Sequence, residues 1–363
     1  LSSDREAARR AFLDGAGLGA ARREPLAGDA STRAYERLHP TRGPSLIFMD
    51  QPPALETRPC PPDATSVERA ALGYNALARL AAGRVDAFVA CAAWLRGLGL
   101  SAPVVLAADP PAGFAVLEDL GDGLYARLIE AGADEAPLYD SATDVLLRLH
   151  AEAPPARLEG DGSAWPLLSY DAVAFLTATD LFVEWLPRFN PALRFSPEAT
   201  DDWRAIWKPI AARAEAGASV FCHRDFHAEN LLWLPSRVGA ARTGLLDFQD
   251  AVRAHPAWDL SMLLHDARRD VSPDRETAVL ARYLAARPDL DAGLFQADFQ
   301  ALGALNIVRI LGLFARLSAR DGKTRYGAFM PRLWRYLDRC LAGPAPPGLA
   351  AWLDRHVPRE ARA

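Results

Sequence analysis

Among the 363 residues, the run Phe221-Cys222-His223-Arg224-Asp225-Phe226-His227-Ala228-Glu229-Asn230, with Asp247 seventeen residues beyond Asn230, most limits what the chain can become. Two short apolar stretches, Leu231-Leu232-Trp233-Leu234 and Gly244-Leu245-Leu246, lie between Asn230 and Asp247. Stretches of that length flanking a turn predict a hairpin, and a hairpin positions both ends of the run together. A carboxylate that can meet a hydroxyl proton would then stand beside an amide oxygen and a second carboxylate suited to a hard divalent cation. His223 and His227 are four apart, as zinc ligands on a helix are, but this segment reads as a loop entering a strand and has no general-base Glu between them.

Composition narrows the class. Net charge is -5, from 41 Lys+Arg against 46 Asp+Glu, whereas a protein living on nucleic acid phosphates needs a basic surplus. Half of the chain is hydrophobic, and the length suits roughly two domains at ~150 residues each. The four cysteines, Cys60, Cys91, Cys222 and Cys340, form no CxxC pair, so neither a disulfide framework nor a zinc ribbon is indicated. The most apolar late segment, Leu305 to Leu317, is broken by Arg309 and Arg316, short of the ~18 uninterrupted apolar residues of a membrane span. Leu1 to Arg10 lacks the apolar core of a signal peptide, and a chain opening at Leu1 rather than Met points to a trimmed start. The expectation is a reduced, cytoplasmic protein with no membrane or nucleic acid partner.

Organisation along the chain supports two lobes, 1–117 and 118–363. Arg5 to Leu13 reads as an amphipathic helix, and the stretch from Glu24 to Asp50 reads as strands joined by tight turns. A proline-rich loop from Gln51 to Asp63 follows, then a helix from Val85 and two short strands, Val104 to Leu106 and Phe114 to Leu117. Beyond Glu118 the pattern is helical, interrupted by one strand-bearing island from Val220 to Phe248. Gly15-Ala16-Gly17-Leu18-Gly19-Ala20 fits a dinucleotide fingerprint, but a helix precedes it where a strand is required. Gly322-Lys323-Thr324 resembles the end of a P-loop whose first glycine is replaced by Leu317.

His223 to Asn230 matches H-R-D-x-x-x-x-N, the catalytic loop of the kinase fold, and Asp247-Phe248-Gln249 stands where that fold carries D-F-G. No A-P-E follows, and twelve residues take the chain from Asp247 to Asp259, leaving no room for a peptide-docking platform. The whole chain therefore resembles the aminoglycoside phosphotransferase-like family of small-molecule kinases. A longer series is similar to the bacterial N-acetylmuramate/N-acetylglucosamine anomeric kinases of peptidoglycan recycling. It comprises Gly28 to Arg33, Phe48 to Pro53, Leu117-Glu118-Asp119-Leu120-Gly121-Asp122, the two catalytic segments, and Ile310 to Leu317.

That resemblance implies a bilobal α+β fold and ATP- and Mg2+-dependent phosphorylation of a sugar's anomeric hydroxyl. It makes Asp225 the catalytic carboxylate, and Asn230 and Asp247 the magnesium ligands. Ser31, Thr32 and Arg33 would cover the phosphates, and the backbone at Glu118 and Leu120 would grip adenine. His223 and Asp259 are structural, Asp259 bracing the loop. His227, Asp250, Arg253, Asn306 and Arg309 are sugar candidates by motif proximity or polarity. One departure stands out: the kinase fold carries a strand lysine near position 49 or 50, yet the first lysine of this chain is Lys208. Arg33 or Arg37 could supply that charge, and Asp86 the role of the usual helix glutamate. An antibiotic-modifying kinase and a nucleotide-binding pseudokinase scaffold are the alternatives. Retention of His223, Asp225, Asn230 and Asp247 together argues against the scaffold. The Arg309/Arg316/Arg320 series leans towards an acidic sugar rather than a polycation.

Overall fold

In a computed structural model, which describes residues 3–26, 33–52, 58–343 and 346–362, helix α1 (Ser3–Gly15) leads into a five-stranded antiparallel sheet. Gly17, at a φ of 73°, turns the chain at the end of α1, so the glycine run terminates a helix and cradles no dinucleotide. The strands are β1 (Arg22–Pro25), β2 (Ala34–His39) and β3 (Leu46–Asp50), then, after helices α2 (Ser66–Leu72), α3 (Tyr74–Leu77) and α4 (Val85–Gly97), β4 (Val105–Asp109) and β5 (Phe114–Glu118). Their spatial order is β1-β2-β3-β5-β4. Alternation along the central strands divides the core. Phe48, Phe114 and Val116 face Leu13 and Phe12 of α1, with ring centroids 5.4 to 6.0 Å apart among the three phenylalanines. Met49, Ala115 and Leu117 face the other way, into the core shared with Val85, Phe88 and Val89 of α4.

Buried charge pins α1 down. Asp50 is fully buried; Arg5 donates to it from Nε at 3.1 Å and also from Nη2, and Arg9 Nε lies 3.4 Å away. Glu36 of β2 takes Arg9 and Arg23, and Arg23 also reaches Glu6 at 2.7 Å.

The rest of the chain is mainly helical. Helices α5 (Tyr125–Glu130) and α6 (Glu135–Leu149) precede a hairpin of β6 (Arg157–Gly160) and β7 (Ser163–Pro166), which sequence patterning did not separate from the helices. Its two loop residues, Asp161 and Gly162, have φ values of 50° and 76°, the mirror-image turn that Asp-Gly favours. Long helices α7 (Ala172–Phe189) and α8 (Pro197–Ala216) follow; Ser196 caps α8 and Pro197 opens it. Then come β8 (Val220–Cys222), β9 (Leu231–Trp233), β10 (Thr243–Leu245) and β11 (Val252–Ala254), pairing as β8 with β11 and β9 with β10. Helices α9 (Ala257–Leu264), α10 (Pro273–Ala285), α11 (Ala292–Ala319), α12 (Met330–Leu341) and α13 (Leu349–His356) complete the fold.

Helix α11 is long and apolar enough to cross a membrane by composition, yet 67% of its most apolar stretch is buried as the core of this lobe. It crosses α7 closely at Gly312, where a Cβ would fall 2.4 Å from the Leu181 carbonyl carbon. Beside it, Phe182, Trp203, Trp207 and Trp352 pack ring on ring, and the Trp203 and Trp352 indoles donate to the Thr179 and Ala199 carbonyls at 3.1 and 2.8 Å.

Asp50→Ala leaves Arg5 and Arg9 facing a buried void, which should cost about 3 kcal/mol. Urea unfolding and the rate of proteolysis within α1 check this; unchanged values for both would remove the charge cluster as the anchor.

Candidate active site

The catalytic run leaves β8 and turns sharply. Asp259, in the first turn of α9, accepts from His223 N at 2.6 Å, Arg224 N at 2.8 Å and Cys222 Sγ at 3.2 Å. Arg224 takes a φ of 81°, a strained conformation for a residue with a side chain. His223 is fully buried edge-on to Phe226 and Phe248, and burial lowers its pKa, so it is a neutral packing group at the site.

This turn delivers Asp225 to the wall of a cavity of about 550 Å³ between the sheet and the helical lobe. Asn230 and Asp247 line the same cavity. Asn230 donates from Nδ2 to the Asp225 carbonyl at 2.9 Å, which leaves its Oδ1 for a ligand. Asp247 also has a positive φ, 62°, and its Oδ1 receives Arg33 Nη2 at 2.8 Å and Gln249 Nε2 at 3.1 Å. The β9–β10 hairpin holds these two residues in place: Leu246 N donates to the Asn230 carbonyl at 3.0 Å. The hairpin is itself fixed by Thr243, whose hydroxyl meets Tyr125 at 2.6 Å and Ser141 at 2.8 Å.

Burial, partly opposed by Arg309 and assisted by Asp247, pushes the Asp225 carboxyl up from 3.8 to about 6. One amide oxygen and one carboxylate suit magnesium, which takes few protein ligands and completes its shell with water and phosphate oxygens. Among the described residues no group of three His, Cys, Asp or Glu could hold a metal unaided.

The cavity has two ends. At one, Leu26, Ile47, Leu117, Leu232 and Leu246 form an apolar slot beside Glu118 and Leu120. Glu118 ends β5, and its side chain pairs with Arg237 at 2.6 Å. Arg37 lines this end, but its guanidinium is taken up by Asp119 and Asp122, both at 2.7 Å. At the other end stand His227, Met262, Asp266, Arg268, Arg309 and Phe314. Burial, reinforced by Arg268 and His223, holds the His227 pKa well below its usual value, so the imidazole is neutral. Arg309 rests over Trp258 at 5.8 Å and donates to Asn306 Oδ1 at 3.0 Å.

Several residues singled out from the sequence lie elsewhere. Asn306 is fully buried behind Arg309 and outside the cavity lining, its amide turned to Met262 Sδ at 2.9 Å. Asp250 accepts from Ala81 N at 2.6 Å and is also absent from the lining. Arg253 is exposed on β11, opposite Phe221, because the strand's alternation turns it away from the cavity. Asp86 pairs with its neighbour Arg84 at 2.6 Å, Arg316 stacks on Tyr74 at 4.9 Å, and Arg320 pairs with Asp321 at the surface, so the arginine series contributes only Arg309 to the cavity. Ser31 and Thr32 lie outside the described residues. Asp266 and Arg268, not singled out from the sequence, also line the cavity. Asp266 accepts from Arg268 N at 2.9 Å, and burial raises its carboxyl. Its place just past the end of the apolar helix α9, seven residues beyond Asp259, was the available signal.

The raised Asp225 carboxyl has a thermodynamic consequence. The folded state holds that proton more tightly than the unfolded chain, so ionised Asp225 destabilises the fold above about pH 6, and the penalty vanishes below about pH 4. Asp225→Asn should gain about 2 kcal/mol at pH 8, since one pKa unit corresponds to about 1.4 kcal/mol and cavity water screens part. Thermal melts at pH 8 and pH 4 test the sign, and a gain independent of pH would contradict it.

Comparison with known proteins places this geometry in a family. The model of the phosphotransferase enzyme family (APH) matches residues 22–295. The chain is 70% identical to the N-acetylmuramate/N-acetylglucosamine kinase of Caulobacter vibrioides, covering 100% of this chain and 99% of that protein. It is 29% identical to the enzyme of the same name from Pseudomonas aeruginosa, over 88% of this chain and 83% of that one. Among solved structures, the choline kinase LicA of Streptococcus pneumoniae superposes with a TM-score of 0.54 at 16% identity, covering 94% of this chain and 100% of that one, a likeness of fold. A family model that spans the sheet, the hairpin and the catalytic turn, together with end-to-end identity to a kinase, establishes that the chain belongs to the phosphotransferase enzyme family.

Proposed function

We propose that this protein transfers the γ-phosphoryl group of ATP to the anomeric hydroxyl of N-acetylmuramate and/or N-acetylglucosamine, giving a sugar 1-phosphate in peptidoglycan recycling. The observation that carries this reading is the convergence of Asp225, Asn230 and Asp247 on one cavity with an apolar slot at one end and polar groups at the other. The 70% identity to a kinase acting on these sugars supports the substrate class.

In this reading the apolar slot takes adenine, whose edge meets the backbone at Glu118 and Leu120. Asn230 and Asp247 would hold Mg2+, which when bound neutralises phosphate charge. Asp225 receives the C1 hydroxyl and takes its proton as the sugar oxygen bonds to the γ-phosphorus and the bond from that phosphorus to the β–γ bridging oxygen breaks, releasing ADP. A carboxylate lifted to about 6 is a stronger base than an ordinary aspartate and remains ionised at neutral pH. An anomeric hydroxyl is more acidic than a simple alcohol, so that basicity suffices. The remaining acceleration comes from positioning and charge neutralisation. His227 and Asp266 suit sugar hydroxyls, and Phe314 offers an apolar face. Arg268 and Arg309 suit a carboxylated sugar and disfavour a polycationic aminoglycoside.

The missing strand lysine is replaced by Arg33. The lysine position falls at Met49, which is buried in the core under α4, and at Asp50, which is committed to Arg5. Arg33 reaches into the cavity from the neighbouring strand, 2.8 Å from Asp247 and 2.9 Å from Gln249, where it would meet phosphate oxygens. Arg37, bound at Asp119 and Asp122, is directed to the opposite end.

An ADP-release assay across N-acetylmuramate, N-acetylglucosamine and an aminoglycoside tests the reaction. Turnover of an amino sugar to an acid-labile 1-phosphate is expected, with Asp225→Asn losing about 10²- to 10⁴-fold in kcat. Phosphorylation of the aminoglycoside alone, or no ADP from any acceptor, would overturn the proposal. Arg33→Ala should raise the KM for ATP about tenfold or more, the worth of a charged hydrogen bond, while Arg33→Lys recovers part of the loss. An unaltered KM would remove Arg33 from the phosphate site.

A further inference from the structure

We infer that Arg224 and Asp250 are positioning residues that clamp residues 78–81 onto the two catalytic turns, and so hold Asp225 and Asp247 in register. The inference rests on the proposed roles of those two acids. Arg224 precedes the base, is buried, and donates from Nη1 to the Arg79 carbonyl at 3.1 Å and from Nη2 to the Ala78 carbonyl at 2.8 Å. Its guanidinium lies over the Tyr170 ring at 4.7 Å. Asp250, three residues past Asp247, accepts from Ala81 N at 2.6 Å. Both catalytic turns therefore grip the same four residues.

Turn hydrogen bonds from 78, 79 and 80 back to the carbonyls of 74, 76 and 75 satisfy the N–H groups of this stretch, but no strand or helix takes up the carbonyls of 77 to 79. Arg79 and Ala82 have φ values of 56° and 53°, a left-handed conformation that side-chain-bearing residues adopt only when the surroundings impose it. From the other side, Arg69 donates to the Ala76 and Leu77 carbonyls at 3.2 and 2.6 Å while bound to Asp171 at 2.5 Å, and Arg79 reaches the same Asp171 at 2.8 Å. Four successive carbonyls, 76 to 79, thus end on arginine side chains. A buried irregular stretch needs such partners. A neutral donor would satisfy one carbonyl, whereas the rigid guanidinium fork ties two successive ones to the residue adjoining the base.

The clamp has a route to the chemistry. The gripped stretch leads directly into α4, whose Phe88 lines the cavity and stacks on Phe248 at 4.7 Å, next to Asp247. Loosening 78–81 would let α4, Phe248 and Asp247 shift relative to Asp225, without removing any group that touches substrate.

The decisive comparison is Asp250→Ala against Asp250→Asn. The amide oxygen of asparagine still accepts from Ala81 N–H, so Asp250→Asn should stay close to wild type, while Asp250→Ala loses about tenfold or more in kcat with little change in either KM. Amide exchange across 78–84 should rise in Asp250→Ala and not in Asp250→Asn. Arg224→Met should reproduce the Asp250→Ala pattern; if it does not fold, the Asp250 pair decides alone. Equal losses in both Asp250 variants, or a loss confined to the KM for sugar, would make Asp250 a charge or sugar contact and overturn the clamp. Unchanged exchange in Asp250→Ala would also overturn it. Should Asp225→Asn retain turnover, the assignment of the base fails, whereas the exchange comparison still tests the clamp on its own terms.

Discussion

Everything at the site hangs on Asp259. One carboxylate, fully buried in the first turn of α9, accepts three donors from consecutive residues of the catalytic turn. An N–H of a helix's first turn ordinarily lacks a partner, and acids favour that end; here the acid instead gathers backbone N–H groups from another segment. The turn needs this support because Arg224 sits at a φ of 81°. Without those bonds the chain would relax, Asp225 would leave the cavity wall, and Asn230, which donates to the Asp225 carbonyl, would follow it.

The cavity works by contrast between its walls. Apolar side chains from both lobes line one end, rimmed by paired charges, while Asp225, Asn230 and Asp247 share the wall with His227, Asp266, Arg268 and Arg309 further along. Low local polarity lifts Asp225 towards the range useful to a base. Arg309 pulls in the opposite direction, and its own orientation is fixed by Asn306, whose amide faces Met262. Antiparallel register sets Ala34 opposite Asp50, so Arg33 occupies the neighbourhood a residue just past β3 would otherwise reach.

Much of this was legible because it depends on spacing along the chain. The motif from His223 to Asn230 and Asp247 needs only a hairpin to become a site, and the apolar runs between them announce that hairpin. The β-rich beginning and helical remainder likewise follow from periodicity. Other features were present but unweighted: Asp161-Gly162 is a hairpin signal set in strands rich in Pro, Glu and Gly, and their low strand propensity concealed it. Arg253, a sugar candidate by its nearness to Asp247, lies on the exposed face of β11 outside the cavity lining. Proximity to Asp247 in sequence says nothing about which face of β11 a side chain takes.

By itself, the sequence determined which groups are available and their order: a base-competent acid, an amide and an acid at cation-binding spacing, a lobe without lysine, and a helix of apolar residues interrupted by Arg309. Those properties are local, set by neighbours a few positions away. Only the tertiary structure decided that Arg33 reaches Asp247 in the cavity, that Asp250 grips Ala81, and that Asp266 and Arg268 line the same cavity. Each of those outcomes turns on two segments distant in the chain meeting at hydrogen-bonding distance. Such meetings are fixed by how the sheet, α4 and α11 share buried surface, a property of the packed whole that no stretch of sequence carries alone.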